Sequence, residues 1–116
     1  MLFSRGRGAR LRVDKIYEES LLFDFYGELL TEHQKQVFEE VVLSDYSLAE
    51  VAAELNISRQ GVHDLVKRAR QTLAAYEEKL HLVDKFLRIR DKADQIRALT
   101  EDKEILALTE QILEEL

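Results

Sequence analysis

The chain has 116 residues, a formal net charge of −6, and neither cysteine nor proline. The absence of cysteine excludes disulfides and thiolate metal sites, and the acidic balance argues against a protein that coats nucleic acid without specificity. The length predicts one domain, or a compact domain with an appended helix, with enough apolar residues for a modest core.

Basic residues are concentrated at the N-terminus. Residues 1–15 contain five basic side chains against Asp14 alone, and Gly6 and Gly8 lie among the arginines. This composition predicts a flexible basic arm over residues 1–12. Because no signal peptide follows and no apolar run could span a bilayer, the sequence predicts a cytoplasmic protein without a membrane partner.

Two helices are predicted after the arm. The first begins at Asp14 and carries a wide apolar face at helical spacing. Thr31 is predicted to cap the second helix, because its hydroxyl can accept from the free backbone amides of the first turn. The apolar stripe of the second helix runs to Val42, and Ser44 and Asp45 end it. The aromatic residues expected in the core are Phe23, Phe25, Tyr26 and Phe38.

The segment from Ser47 to Arg70 is typical of a helix-turn-helix. Ser47 and Glu50 fit a capping box that starts a short helix, and Asn56 can adopt the left-handed conformation that a sharp turn needs. Ala52 is the small residue expected where the two helices cross, and Ser58 is predicted to cap the second helix. The shared core is predicted to contain Val51, Leu55, Ile57, Val62 and Leu65.

No glycine or proline interrupts the chain after Val62, so the fourth helix is predicted to be long. Its apolar residues recur at alternating intervals of three and four as far as Leu87, which is close to coiled-coil spacing. Thr100 is predicted to cap a last helix. We expect the helices of residues 76–116 to extend beyond a helix-turn-helix bundle of residues 13–75 and to mediate a homodimer.

The second helix of the motif carries residues that could read DNA. In this geometry its N-terminal turns enter the major groove, where arginine can bind guanine and glutamine can pair with adenine. A solvated helix carries similar residues, and some helix-turn-helices bind only proteins, so both interpretations stand. The outward residues are Arg59, Gln60, His63, Asp64 and Lys67, and Lys67 and Arg68 also suit phosphates.

Several strings resemble known families. Residues 47–73 resemble the fourth region of bacterial sigma factors, which reads promoter DNA. The strings LFDFYGELLT, SDYSLAEVAAEL, SRQGVHDLVKR and YEEKL resemble the YlxM family of small bacterial helix-turn-helix proteins. That resemblance implies an all-α fold and suggests a dimer. Because the family's genes typically adjoin those of the signal recognition particle GTPase, it also implies a role in that secretion pathway or its regulation.

The family signature adds Ser58 to the predicted DNA-binding residues. Gly61 departs from it, because alanine is usual there, and glycine costs up to about 1 kcal/mol of helix propensity. The start of the second helix is therefore expected to be looser. The matching residues of the signature are Ser58, Arg59, Gln60, Val62, Asp64, Lys67 and Arg68.

No constellation of catalytic residues is recognised. The three histidines lie far apart without partners at metal-ligand spacing, and are expected at the surface or in an interface. Adjacent glutamates diverge by about 100° on a helix, so the pairs at 18–19, 39–40 and 77–78 are expected on solvated faces. The sequence therefore predicts no enzyme activity, no cofactor and no metal.

These features predict an all-α helical bundle that contains a helix-turn-helix and ends in a long C-terminal helical extension. The first predicted function is a DNA-binding regulator of transcription, whose dimer sets two helices into successive major grooves. The alternative is an accessory protein of the signal recognition particle pathway that contacts protein or RNA without binding DNA. A sigma-like partner of RNA polymerase is a third interpretation.

Overall fold

A computed structural model describes the backbone of residues 10–116 and the side chains of residues 15–116. Within this range all regular secondary structure is helical, so the predicted all-α class is confirmed. Residues 1–9 of the predicted arm lie outside the described residues, and the first helix already begins at Arg10. The α-helices are α1 (Arg10–Tyr26), α2 (Glu32–Val37), α3 (Leu48–Leu55), α4 (Arg59–Leu80), α5 (Leu82–Leu99) and α6 (Lys103–Glu114).

The described part of the chain divides into two compact units, the first ending at Leu80 and the second comprising residues 81–116. The predicted boundary between residues 75 and 76 falls inside α4, whose last turn belongs to the first unit. Among the described residues, none of the helices combines the length and apolarity that crossing a membrane requires.

The predicted cap of α2 is confirmed. The Gln34 backbone N–H donates to Thr31 Oγ1 at 3.2 Å, and the Thr31 backbone N–H donates to Gln34 Oε1 at 3.4 Å. After α2 the chain continues as a π-helical segment, Phe38–Leu43, in which the Ser44 N–H donates to the Glu39 carbonyl at 2.9 Å. The segment ends at Ser44, as predicted.

The core of the first unit forms where α3 and α4 pack against α2 and the π-helical segment. Of the aromatic residues expected there, Tyr26 and Phe38 are fully buried, whereas Phe23 and Phe25 are half-buried. Phe23 stacks on Phe38 with 5.4 Å between ring centroids. The central buried cluster contains Val37, Val51, Ala52, Val62 and Val66.

Two glutamates that were expected on solvated faces are buried. Glu19 of α1 accepts two hydrogen bonds from Arg70 of α4, at 2.6 Å from Nε and 3.3 Å from Nη2. Glu77 of α4 is only 5% exposed and accepts a 2.6 Å hydrogen bond from the Tyr26 hydroxyl. The prediction was wrong because each partner lies 51 residues away, which the spacing of charges within one helix cannot reveal.

The prediction of one helix running to Leu87 is also wrong. Helix α4 ends at Leu80, His81 adopts a left-handed conformation with φ 57°, and α5 begins at Leu82. Histidine enters this region readily enough to break a helix without glycine or proline. The apolar residues of α4 as far as Leu73 are buried in the first unit, so they form its core and not an exposed coiled-coil seam.

In the second unit α5 and α6 pack against each other after a short connection. Asp102, not Thr100, caps α6, because its Oδ1 accepts from two backbone N–H groups of the first turn at 2.9 and 3.3 Å. The Thr100 hydroxyl instead accepts from the Asp102 N–H at 3.1 Å and orders the turn before the cap. Arg97 of α5 forms an ion pair with Glu110 of α6.

Candidate nucleic-acid interface

Helix α3 begins and ends as the sequence predicts. The Glu50 N–H donates to Ser47 Oγ at 3.1 Å, and the Ser47 N–H donates to Glu50 Oε1 at 3.2 Å, which completes the capping box. Asn56 is left-handed, with φ 56° and ψ 46°, and the Ile57 N–H returns to the Ala52 carbonyl at 3.0 Å. Because the N–H groups of Asn56 and Ile57 bond to carbonyls in the last turn of α3, they fix the direction in which the chain leaves the helix.

Helix α4 begins at the predicted cap. Ser58 Oγ accepts from the Gly61 N–H at 2.9 Å, and its carbonyl accepts from the Val62 N–H at 3.1 Å. A Cβ added at Gly61 would lie 3.2 Å from Ser58 Oγ and 3.6 Å from Ile57 Cδ1. Glycine therefore leaves room for the capping hydroxyl of Ser58, although it costs up to about 1 kcal/mol of helix propensity.

The two helices of the motif cross on a small, buried contact. Ala52 of α3 and Val62 of α4 are both buried, and Leu55 and Leu65 pack against the same cluster. Ile57 was also expected in this core, but it is 39% exposed, because the turn that follows Asn56 carries it to the surface. The buried side of α4 thus anchors the helix, and its opposite side stays in solvent.

The predicted DNA-binding side chains of α4 are all exposed. Positions 59, 60, 63, 64 and 67 lie on one side of the helix at its spacing of about 3.6 residues per turn, whereas Arg68 lies on the neighbouring side. Among the described residues, the cationic groups of Arg59, Lys67 and Arg68 have no ion-pair partner. Ser58 is exposed too, but its hydroxyl is occupied by the cap.

Asp64 organises its neighbours on this surface. Its Oδ1 accepts from Gln60 Nε2 at 3.0 Å and lies 3.7 Å from His63 Nδ1. The carboxylate thereby offsets positive charge at the centre of the exposed side. The bond uses only one of the two N–H groups of Gln60, so its other N–H and its Oε1 stay available to another partner.

An open groove of about 510 Å³ runs along α4 beside Arg68. Sequence reasoning did not find it, because the groove needs α2 to lie against α4, and only Arg68 among its residues belongs to the predicted site. Most of its side chains can donate hydrogen bonds. The groove is lined by Gln34, Arg68, Gln71, Thr72, Ala75, Tyr76 and Lys79.

A separate acidic cluster links α3 to the π-helical segment. Gln36 Nε2 donates to Glu40 Oε2 at 3.0 Å and to Glu54 Oε1 at 2.9 Å. The neighbouring Glu40 carboxyl raises the pKa of Glu54, because a proton that the two groups can share is held more tightly. Nearby, the pKa of Lys35 is raised by its 2.7 Å hydrogen bond to Glu28. The carboxylates of Glu40 and Glu54 make this surface acidic, so it is unsuited to phosphate.

Over the residues that the structure describes, no group of three or more histidine, cysteine or acidic side chains is placed to hold a metal ion. His33, His63 and His81 are all exposed.

The capped α3, the left-handed Asn56 and the anchored α4 define a helix-turn-helix protein. The chain belongs to the UPF0122 family, whose model, described as "Putative helix-turn-helix protein, YlxM / p13 like", matches residues 13–115. The resemblance to the YlxM family that the four strings predict is therefore confirmed.

Relatives of this family match most of the chain. A UPF0122 protein of Acetivibrio thermocellus is 45% identical over 114 residues, covering 90% of this chain and 97% of the relative. One from a Thermoanaerobacter species is 46% identical over 104 residues, with coverages of 84% and 89%. One from Lactococcus lactis subsp. cremoris is 46% identical over 77 residues, with coverages of 66% and 69%.

Proposed function

We propose that this protein is a DNA-binding regulator and not an enzyme, and that the N-terminal half of α4 reads bases in the major groove. The observation that carries the proposal is the row of exposed donors on α4, directly after a capped turn and opposite a buried anchor. A side chain can read a base edge only if its helix is held firmly while its polar end stays free.

The reading residues are Arg59, Gln60 and Lys67. Arginine and lysine suit the acceptors on guanine, and the amide of Gln60 suits adenine. The anchor beneath them is rigid, since Val62 and Val66 are buried on the opposite side of the same turns. Gln60 can keep its hydrogen bond to Asp64, because pairing with adenine needs only its second N–H and its Oε1.

The groove beside Arg68 supports a second set of contacts. Arg68 and Lys79 lie on the same side of α4 about three turns apart, and Gln34 of α2 faces the same space. Donors of this kind bind phosphate oxygens and set the register of a protein on the duplex without reading sequence. Loss of one of these cations should weaken binding equally to all sequences.

The first experiment is a selection from a randomised duplex pool with the full chain, at two salt concentrations, with signal recognition particle RNA in a parallel titration. We expect one duplex motif to be enriched, with an affinity that falls as salt rises. Gln60→Ala should remove the preference at one base pair. Gln95→Ala is the matched control, because Gln95 makes the same kind of surface bond to Asp91, at 2.8 Å, in the second unit.

The same experiment discriminates the alternative. If no duplex motif is enriched and the particle RNA binds, or neither nucleic acid binds, the proposal is overturned in favour of an accessory role in the secretion pathway. The link to that pathway rests on the genomic association of the family. If a duplex motif is enriched but Gln60→Ala behaves like Gln95→Ala, DNA is bound by another surface.

A further inference from the structure

Both helices of the second unit expose a row of large apolar side chains. On α5 the residues Leu82, Ile89 and Ile96 recur every seven positions, as the core positions of a coiled coil do. On α6 the row is Ile105, Leu108 and Ile112, and Leu108 is 56% exposed; Leu116, also exposed, lies just beyond the end of the helix. A paired set of such rows is more than the scattered exposure that a monomer's surface normally shows.

The two rows lie on the same side of the α5–α6 pair. Successive residues are about 100° apart around a helix axis. On each helix the exposed row therefore lies roughly 75–95° around the axis from the side that contacts the other helix. The turn from that side to the row has the same direction on both helices when each is viewed along its own chain. The short connection makes the two helices antiparallel, which reverses that sense for one of them and brings both rows to one face. The Arg97–Glu110 ion pair bridges the helices away from this face.

The charges that flank the two rows have opposite sign. Helix α5 has five basic against three acidic residues, and α6 has one basic against three acidic residues. Lys85 and Lys92 flank the row on α5. Glu104 flanks the row on α6, and Glu115 caps the end of that helix; all four lie on the side away from the other helix. Among the described residues none of these four has an ion-pair partner.

We infer that this apolar face binds the same face of a second copy of the chain, with α5 of each copy lying against α6 of the other. A two-fold axis parallel to the helices produces this arrangement. It places α5 of one copy opposite α6 of the other copy, and the two helices run antiparallel. Lys85 and Lys92 then meet Glu104 and Glu115 of the second copy, and the two apolar rows are buried together.

Charge selects this arrangement over the other two-fold pairing. An axis across the helices would set α5 against α5 and α6 against α6, so lysines would face lysines and glutamates would face glutamates. Like charges placed opposite each other suppress a pairing, and complementary charges set its register. The occupant is therefore a second copy in one defined orientation.

The test is a charge exchange, measured with the full chain by sedimentation equilibrium without nucleic acid. Lys85→Glu/Lys92→Glu and Glu104→Lys/Glu115→Lys should each weaken the homodimer roughly ten-fold or more. A mixture of the two variants should restore dimers to the original strength, because each contact regains opposite charges. If both variants dimerise weakly and the mixture dimerises no more strongly than either variant alone, the assigned orientation is wrong.

The apolar contact has its own matched pair of variants. Ile89→Gln/Leu108→Gln should convert the protein to a monomer at tens of micromolar, whereas Leu29→Gln, at an exposed leucine of the first unit, should leave the dimer intact. Helical circular dichroism verifies that both variants fold. An original chain that stays monomeric at this concentration overturns the inference. Because no DNA is present, the result is independent of the proposed function.

Discussion

The hydroxyl of Tyr26 donates a 2.6 Å hydrogen bond to Glu77 Oε1, which joins α1 to α4 inside the first unit. Glu19 and Arg70 join the same helices with the same separation of 51 residues. The later residue of α1, Tyr26, contacts the later residue of α4, Glu77, so α1 and α4 run parallel. Tyr26 also stacks on Tyr76 with 5.9 Å between ring centroids, so the contact combines a charge-assisted hydrogen bond with aromatic packing.

Removal of the Tyr26 hydroxyl should destabilise the protein without changing its shape. We expect Tyr26→Phe to lower the free energy of unfolding by about 1–3 kcal/mol, because the buried carboxylate of Glu77 loses a donor. Urea unfolding measures the change. Tyr46→Phe, at an exposed tyrosine, is the control and should change stability by less than about 0.5 kcal/mol. Equal effects of the two variants would mean that the buried bond contributes nothing specific.

The Glu19–Arg70 ion pair should contribute more than an ordinary surface pair. Arg70 remains 46% exposed, which limits the effect, but Glu19 is buried and would be left without its guanidinium. Arg70→Met should cost about 1–2 kcal/mol. Arg88→Met breaks the i, i+4 pair with the half-buried Asp84, in which Arg88 is 76% exposed, and should cost only about 0.3–0.5 kcal/mol. The two unfolding curves, measured side by side, test the difference.

Alanine at position 61 should make the start of α4 more stable. The gain in helix propensity is about 1 kcal/mol, and the 3.2 Å approach to Ser58 Oγ removes part of it, so a net gain of about 0.5 kcal/mol is expected in urea. In a Ser58→Ala background the crowding is absent and the gain from Gly61→Ala should be larger. A gain that does not depend on Ser58 would show that the hydroxyl is not crowded.

The raised pKa of Glu54 predicts a dependence of stability on pH. The native state holds this proton more tightly than the unfolded state, so stability falls as the pH rises above the ordinary value of 4.5. Glu54→Gln should therefore raise the melting temperature at pH 7, and the gain should disappear as the pH approaches 4.5. Glu78→Gln, at an exposed glutamate, serves as the control. A gain that persists unchanged at acidic pH would exclude this origin.

Sequence reasoning succeeded where the cause of a structure is local. The cap at Thr31, the capping box of Ser47 and Glu50, the left-handed Asn56 and the start of α4 at Ser58 depend on residues within a few positions of each other. It failed where the cause lies elsewhere in the chain, as with the burial of Glu77 and the groove beside Arg68. The break at His81 escaped prediction because α5 and α6 form their own unit, and no local residue signals that division.

The exposure of the predicted reading residues followed from the sequence for a related reason. Once Val62 and Val66 are assigned to the core, helical geometry requires Gln60 and Lys67 to lie in solvent. The bond from Gln60 to Asp64 was not predicted, since a side chain on a solvated turn has several acceptable rotamers.

The two contacts between α1 and α4 each join residues that are 51 positions apart, and this separation sets an order of events during synthesis. At about 5–20 residues per second, a ribosome needs roughly 3–10 s to extend the chain by the 51 residues from Tyr26 to Glu77. The contacts around Val51 and Val62 span a much shorter stretch and can close sooner. Helix α1 therefore emerges first from the ribosome but acquires its last partner only after most of α4 has been made.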